Sequence, residues 1–163
     1  METNIQIREV QVSYQPLKGK LFQVKSADNA FDYLSRAYDE GTIGLCEEFM
    51  VLLLNRANRV IDWLKPSKGG LTGTVVDLRI LFGTALKAMP SSIIVAHKPP
   101  SNNLVPSQED RELTKKIKDA EKLLDIYLLD HLILGTDDNF ISFANEGWVW
   151  DYYSTQRWEG YDS

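Results

Sequence analysis

The chain has a single cysteine, Cys46, among its 163 residues. One thiol closes no intramolecular disulfide and builds no cysteine-based zinc site. Basic runs are missing too. Lys and Arg total 18 against 23 Asp and Glu, a formal net charge of -5. That balance does not indicate a broad phosphate-binding face and gives nucleic-acid binding no support. Lys115, Lys116 and Lys118 form a small cluster that reads as the solvated face of a helix. Long apolar runs are also absent: the stretch from Phe49 to Leu54 is far too short to span a bilayer. The N-terminus lacks the basic, apolar and small-residue order of an export signal, so cytoplasm is the expected location. There is no internal repeat and no low-complexity linker.

What is present is the composition of an ordinary globular protein, 44% hydrophobic and 25% charged. The length fits one domain with a sizeable core. Hydrophobic periods alternate between strand and helix, which predicts an α/β fold. Ile5, Ile7, Val10 and Val12 hint at an opening strand. Ser26 offers an N-cap to a helix reaching about Tyr38, with Ala30, Phe31 and Leu34 on one face and Gly41 beyond its end. Phe49 to Leu54 and Val60 to Leu64 read as two strands joined by a turn at Arg56-Ala57-Asn58. After the Gly69-Gly70 break, Thr74-x-x-Asp77 resembles a capping box for a helix that Pro90 stops. Ser92 to His97 is a short buried strand and Ser107 to Leu124 an amphipathic helix. Ile126 to Leu134 and Phe140 to Phe143 read as closing strands. From Trp148 the chain is aromatic and acidic. Trp148 and Trp150 there serve either as a contact surface or as a cover for the sheet.

The residues able to do chemistry concentrate between Ala96 and Asp110. A zinc hydrolase needs about three protein ligands and an open position for a water that the metal acidifies. Two histidines one residue apart on an extended segment point the same way and can share a metal. An aspartate at a helix start completes such a set, and a carboxylate elsewhere takes the proton from water. Here His97, Ser107 and Asp110 keep that spacing, but Pro99 stands where the second histidine would be, and proline cannot coordinate. Glu47 and Glu48 sit at the head of a core strand, their side chains on opposite faces. Each residue also has a structural reading. Ser107-x-x-Asp110 is the sequence of a helix cap, His97 can be a packed histidine, and Glu47 a solvated edge residue. His131 reads as a strand histidine hydrogen-bonded inside the fold.

Several segments in order resemble the RadC-like branch of the JAMM/MPN superfamily. They are Glu47-Glu48-Phe49, Leu54 to Ile61, Gly69 to Val75, Ala85 to Ala88, Ala96 to Asp110, Leu128 to Gly135 and Ser142 to Gly147. The resemblance implies a mixed β-sheet flanked by helices in a three-layer, cytidine-deaminase-like architecture. Its core would span 46–147, with 1–45 supplying a strand and helix of the same domain and 148–163 a tail. It also implies a site in which two histidines and an aspartate hold zinc, a glutamate is the general base and a serine steadies an oxyanion. By position His97 and Asp110 match metal ligands, Ser107 the serine and Glu47 the glutamate, since aligning Leu54-Asn55 with the family's Leu-Asp pair puts Glu47 in register. The family's His-Asn-His-Pro-Ser-Gly-Asp is here His97-Lys98-Pro99-Pro100-Ser101-Asn102-Asn103. Asn102 accepts the left-handed backbone of the replaced glycine, whereas Pro99 removes a ligand. Zinc is therefore expected to bind weakly or not at all, unless Cys46 or His131 substitutes. Lys98 is a candidate partner for Asp110 in the metal's place, but an extended backbone over 97–99 would point it away from the site. Two function classes follow: a non-catalytic module for a protein or peptide partner, or a residual zinc-dependent peptidase or isopeptidase. RadC-like proteins carry a DNA-repair label, but a fold does not fix a function.

Overall fold

The computed structural model describes residues 13–15, 18–37, 48–68 and 76–149. Its elements run α1 (Ala27–Ala37), β1 (Glu48–Leu54), β2 (Val60–Lys68), α2 (Leu78–Ala88), β3 (Ser92–Lys98), α3 (Gln108–Leu124), β4 (Tyr127–Leu134) and β5 (Phe140–Ser142). The strands form one mixed sheet in the order β2-β1-β3-β4-β5. Only β3 and β4 run parallel, as a strand–helix–strand unit through α3 requires; the other pairings are antiparallel. The expected opening strand lies outside the described residues.

Alternation along the strands sorts the core into two layers. Met50, Leu52, Leu54, Ile94 and Ala96 point to one face and pack with Phe31 and Leu34 of α1. Phe49, Val51, Leu53, Ile93 and Val95 point to the other and pack with Leu81 and Phe82 of α2 and Ile117 of α3. The sheet is thus sandwiched between helices, the mixed three-layer α/β arrangement expected. Burial on both faces is why β1 and β3 read as continuous apolar runs.

Two boundaries differ from the sequence expectation. The cap of α2 is Asp77, whose carboxylate accepts from the Arg79 N–H, because its short acidic side chain sits immediately before the first helical residue, Leu78. Strand β2 continues past Leu64 to Lys68. Pro66 is tolerated there because β2 is an edge strand, and the ladder slips between Phe49↔Ser67 and Val51↔Leu64.

The slip between β3 and β4 matters more. Ile93 pairs with Leu128 and Ile94 with Asp130, so β4 carries one extra residue, Leu129. The bulge resets the alternation. Leu128 and Ile133 face α2 and α3, while Leu129, Leu132 and Leu134 face α1. His131 shares the first face and Asp130 the second. No helix among the described residues is long and apolar enough to cross a membrane.

Candidate metal centre

His97 lies at the end of β3, on the same face as Ile93 and Val95, and is 4% exposed. Because β3 and β4 are parallel neighbours, the start of α3 returns close to that strand end. His131 pairs with Val95 across the ladder, while His97 pairs with Ile133. The two imidazoles are therefore diagonal neighbours on one face, and His97 Nδ1 stands 3.0 Å from His131 Nε2. On its other side His97 Nε2 is 3.3 Å from Asp110 Oδ1. Among the described residues His97, Asp110 and His131 form a cluster whose ligand atoms lie within 4.8 Å of one another.

Asp110 divides its oxygens between two tasks. Its Oδ2 accepts from both the N–H and the hydroxyl of Ser107, each at 2.8 Å. Ser107 Oγ in turn accepts from the Asp110 N–H at 3.1 Å, completing a capping box at the start of α3. Oδ1 is left toward His97. The cap and the cluster are one device: the hydrogen bonds that start the helix also aim the carboxylate. Asp110 is held by Ser107 and His97 among the described residues, and Lys98 does not pair with it. The reason is geometric: Lys98 follows His97 on β3 and alternation turns it away.

His131 is fully buried, stacked on Phe143 with centroids 4.5 Å apart and edge-on to Phe49 at 6.3 Å. Burial, and then the neighbouring His97, hold its pKa well below the ordinary imidazole range. Its Nδ1 is 2.7 Å from the hydroxyl of Thr114. Thr114 was not anticipated from sequence. The available signal was a threonine one helical turn after Asp110, buried on the inward side of α3.

Next to His131 but on the opposite face, Asp130 is a second buried polar centre. Its Oδ2 accepts from the Ser142 hydroxyl at 2.6 Å, and its Oδ1 from the N–H of Ala144 at 2.9 Å and of His131 at 2.7 Å. Burial pushes its pKa up to about 6, against the pull of those donors. It fastens the turn after β5 to β4.

Beyond β3 the chain turns, Asn102 N–H reaching Pro99 O at 3.1 Å. Asn102 adopts φ 54°, as its sequence setting implies. Its side chain accepts from Thr136 N–H and donates to Thr136 Oγ1, tying this loop to the β4–β5 connection. Glu48 is buried on the α1 face with Met50 and pairs with Lys65 Nζ at 3.2 Å. It thus sits across the sheet from His97. Glu47 and Cys46 lie outside the described residues. Trp148 rests edge-on against Phe143 with Arg111 over its ring, so it partly covers the sheet end, while Trp150 lies outside the described residues.

The sequence itself matches the model of the RadC-like JAB domain over residues 24–148. The chain belongs to the RadC-like JAB domain family. A UPF0758 protein of Flavobacterium johnsoniae is 42% identical over 128 residues, 78% of this chain and 54% of that protein. One from Porphyromonas gingivalis is 42% identical over 101 residues, 62% of this chain and 44% of its own. One from Shewanella baltica is 36% identical over 118 residues, 72% of this chain and 51% of its own. The chain spans about half the length of these curated relatives.

Whether this RadC-like site suits zinc can be tested on its donor atoms. Ligands held at about 2.0–2.1 Å in a tetrahedron stand roughly 3.3–3.4 Å apart. His97 Nε2 and Asp110 Oδ1, at 3.3 Å, have that separation. Two donors therefore fit one edge of a zinc tetrahedron. His131, the third member of the cluster, is engaged with the opposite nitrogen of His97 and with Thr114. The cluster is a reduced and incomplete ligand set.

Proposed function

We propose that this RadC-like JAB domain has lost its second metal-binding histidine at Pro99 and serves as a non-catalytic binding or scaffold module for a protein or peptide. The observation that carries this reading is the arrangement around His97. Among the described residues the ligand-type donor facing its Nε2 is Asp110 Oδ1, and the remaining histidine of the chain stands on the far side of the ring. Two protein ligands hold zinc far more weakly than three. Bound zinc would supply an acidified water for hydrolysis. His97 and Asp110 would hold the metal, Ser107 would steady the developing oxyanion, and Glu47 would act as proton acceptor. Those roles belong to the second reading, a residual zinc-dependent peptidase or isopeptidase. It is favoured by the tetrahedral spacing of His97 and Asp110 and by Ser107 at the helix start.

Metal content separates the two. After dialysis against a weak chelator, the purified protein is expected to retain well below one equivalent of zinc. A stoichiometric, tightly held zinc overturns the non-catalytic reading. A gain-of-site variant tests the placement of Pro99. Pro99→His together with Lys98→Asn restores an imidazole and removes a cation near the incoming metal. It should bind zinc and melt at a higher temperature, as a ligand specific to the folded state requires. Adding Asp110→Ala should abolish the gain. A folded double variant with no zinc affinity by calorimetry would mean that Pro99 does not stand in the ligand position.

A further inference from the structure

The hydrogen bonds around the two histidines can be solved for their protons. A hydroxyl has one hydrogen to give. Thr114 Oγ1 lies 2.7 Å from the carbonyl oxygen of Asp110, one turn back in α3, and that carbonyl can only accept. The Thr114 hydrogen is therefore committed to it. The same Oγ1 lies 2.7 Å from His131 Nδ1, and this contact is a hydrogen bond only if Nδ1–H of His131 donates. A neutral imidazole carries one N–H, and His131, wholly buried between the rings of Phe143 and Phe49, takes the neutral form because a charge in such an apolar niche is costly. Its Nε2 is then a bare acceptor. The 3.0 Å contact with His97 is consequently made by Nδ1–H of His97 donating.

One nitrogen remains. With Nδ1 committed, Nε2 of His97 faces Asp110 Oδ1 at 3.3 Å. Two lone pairs at that distance repel unless a cation lies between them, either a proton or a metal ion. We propose that Thr114, acting through His131, is a positioning residue that fixes the tautomer of His97 so that Nε2 is the nitrogen presented to a cation held with Asp110. Thr114 hydrogen-bonds His131 and the main chain of Asp110. It sets which edge of a ring two contacts away is available. Metal-binding histidines generally have their other N–H held in this way. This deepens the reading of His97 and Asp110 as the remaining ligand pair, and rests on it.

The test begins without metal. The chain has two histidines, so a long-range proton–nitrogen spectrum of the labelled, chelator-treated protein contains only two imidazoles, and His131→Phe assigns them. At about pH 8.5, roughly two units above the ordinary imidazole pKa, both rings should show a protonated Nδ1, and His131 a bare Nε2. His97 protonated on both nitrogens also keeps the proposed Nδ1–H. A bare Nδ1 on either ring overturns the proposal.

Thr114→Val removes the acceptor with little change of shape. His131 should then move its proton to Nε2 and donate to His97, whose own proton shifts to Nε2 and Asp110. Thr114→Ser should restore the wild-type pattern. A folded Thr114→Val protein with both rings unchanged overturns the role of Thr114, and the wild-type spectrum decides the tautomers should that variant not fold. On the Pro99→His, Lys98→Asn background, Thr114→Val should weaken zinc binding about 10–100-fold. Should that background gain no zinc affinity, the reading of Pro99 falls while the tautomer result stands.

Discussion

Asp130 and His131 are adjacent in β4, both fully buried, and serve opposite ends. Asp130, on the α1 face, gathers three donors from β4, β5 and the turn that follows. Every one of its contacts fastens main chain or a neighbouring hydroxyl in place. His131, on the α3 face, touches side chains that lead to His97 and Asp110. The first centre holds the fold closed. The second passes orientation from a helix to a strand end. Burial alone does not distinguish a structural polar group from a site group; the identity of its partners does.

Removing each acceptor should break this symmetry unequally. Asp130→Leu strands three buried donors and should cost roughly 3 kcal/mol or more in denaturant unfolding. His131→Phe keeps ring volume but leaves His97 Nδ1–H without its acceptor, and should cost about 1–3 kcal/mol. Equal losses would mean that the two centres are not different in kind.

Their responses to pH should also be opposite. The Asp130 pKa rises from an ordinary 3.8 to about 6 on folding. Its contribution to stability is fully present below the unfolded value and is lost as pH rises through about 6, by roughly 3 kcal/mol. His131 is lowered on folding from 6.5. Its contribution is present above 6.5 and is lost as pH falls from there toward its folded value. Asp130→Asn should therefore steepen the loss of stability on acidification between about pH 6 and 4, and His131→Phe should flatten it. Unfolding midpoints across that range would show this, and parallel curves for both variants and the wild type would contradict it.

The smallest effect is expected at Ser107. Ser107→Ala removes the side-chain half of the cap and should cost about 0.5–2 kcal/mol, with or without added zinc. A cost appearing only with zinc would move Ser107 from the helix start to the metal centre.

Much of this arrangement was legible in the chain. The continuous apolar runs of β1 and β3, which mark strands covered on both faces, and the amphipathic stripe of α3 give the layers, and Ser107-x-x-Asp110 gives the cap. The position of His97 at a strand end follows from the apolar run that precedes it. What could not be read was relational. The bulge at Leu129 leaves no mark in a stretch that is apolar on both faces, so the side on which His131 emerges was open. Thr114 resembles any small polar residue in a helix until His131 is placed opposite it. Asp130 sits in a strand pattern that gives no hint of donors arriving from a turn 12–14 residues later.

The extra residue in β4 has a consequence for how length can vary here. Ile94 already pairs with Asp130 and Val95 with His131, so Leu129 is carried outside the register. Deleting it would join Leu128 to Asp130, repair the ladder and leave every later side chain on its present side. A gap placed there costs the histidine nothing. One residue added between Asp130 and His131, with the ladder kept regular, would instead turn the imidazole to the α1 layer, out of reach of His97. Where a length change falls in this strand decides whether the two rings meet.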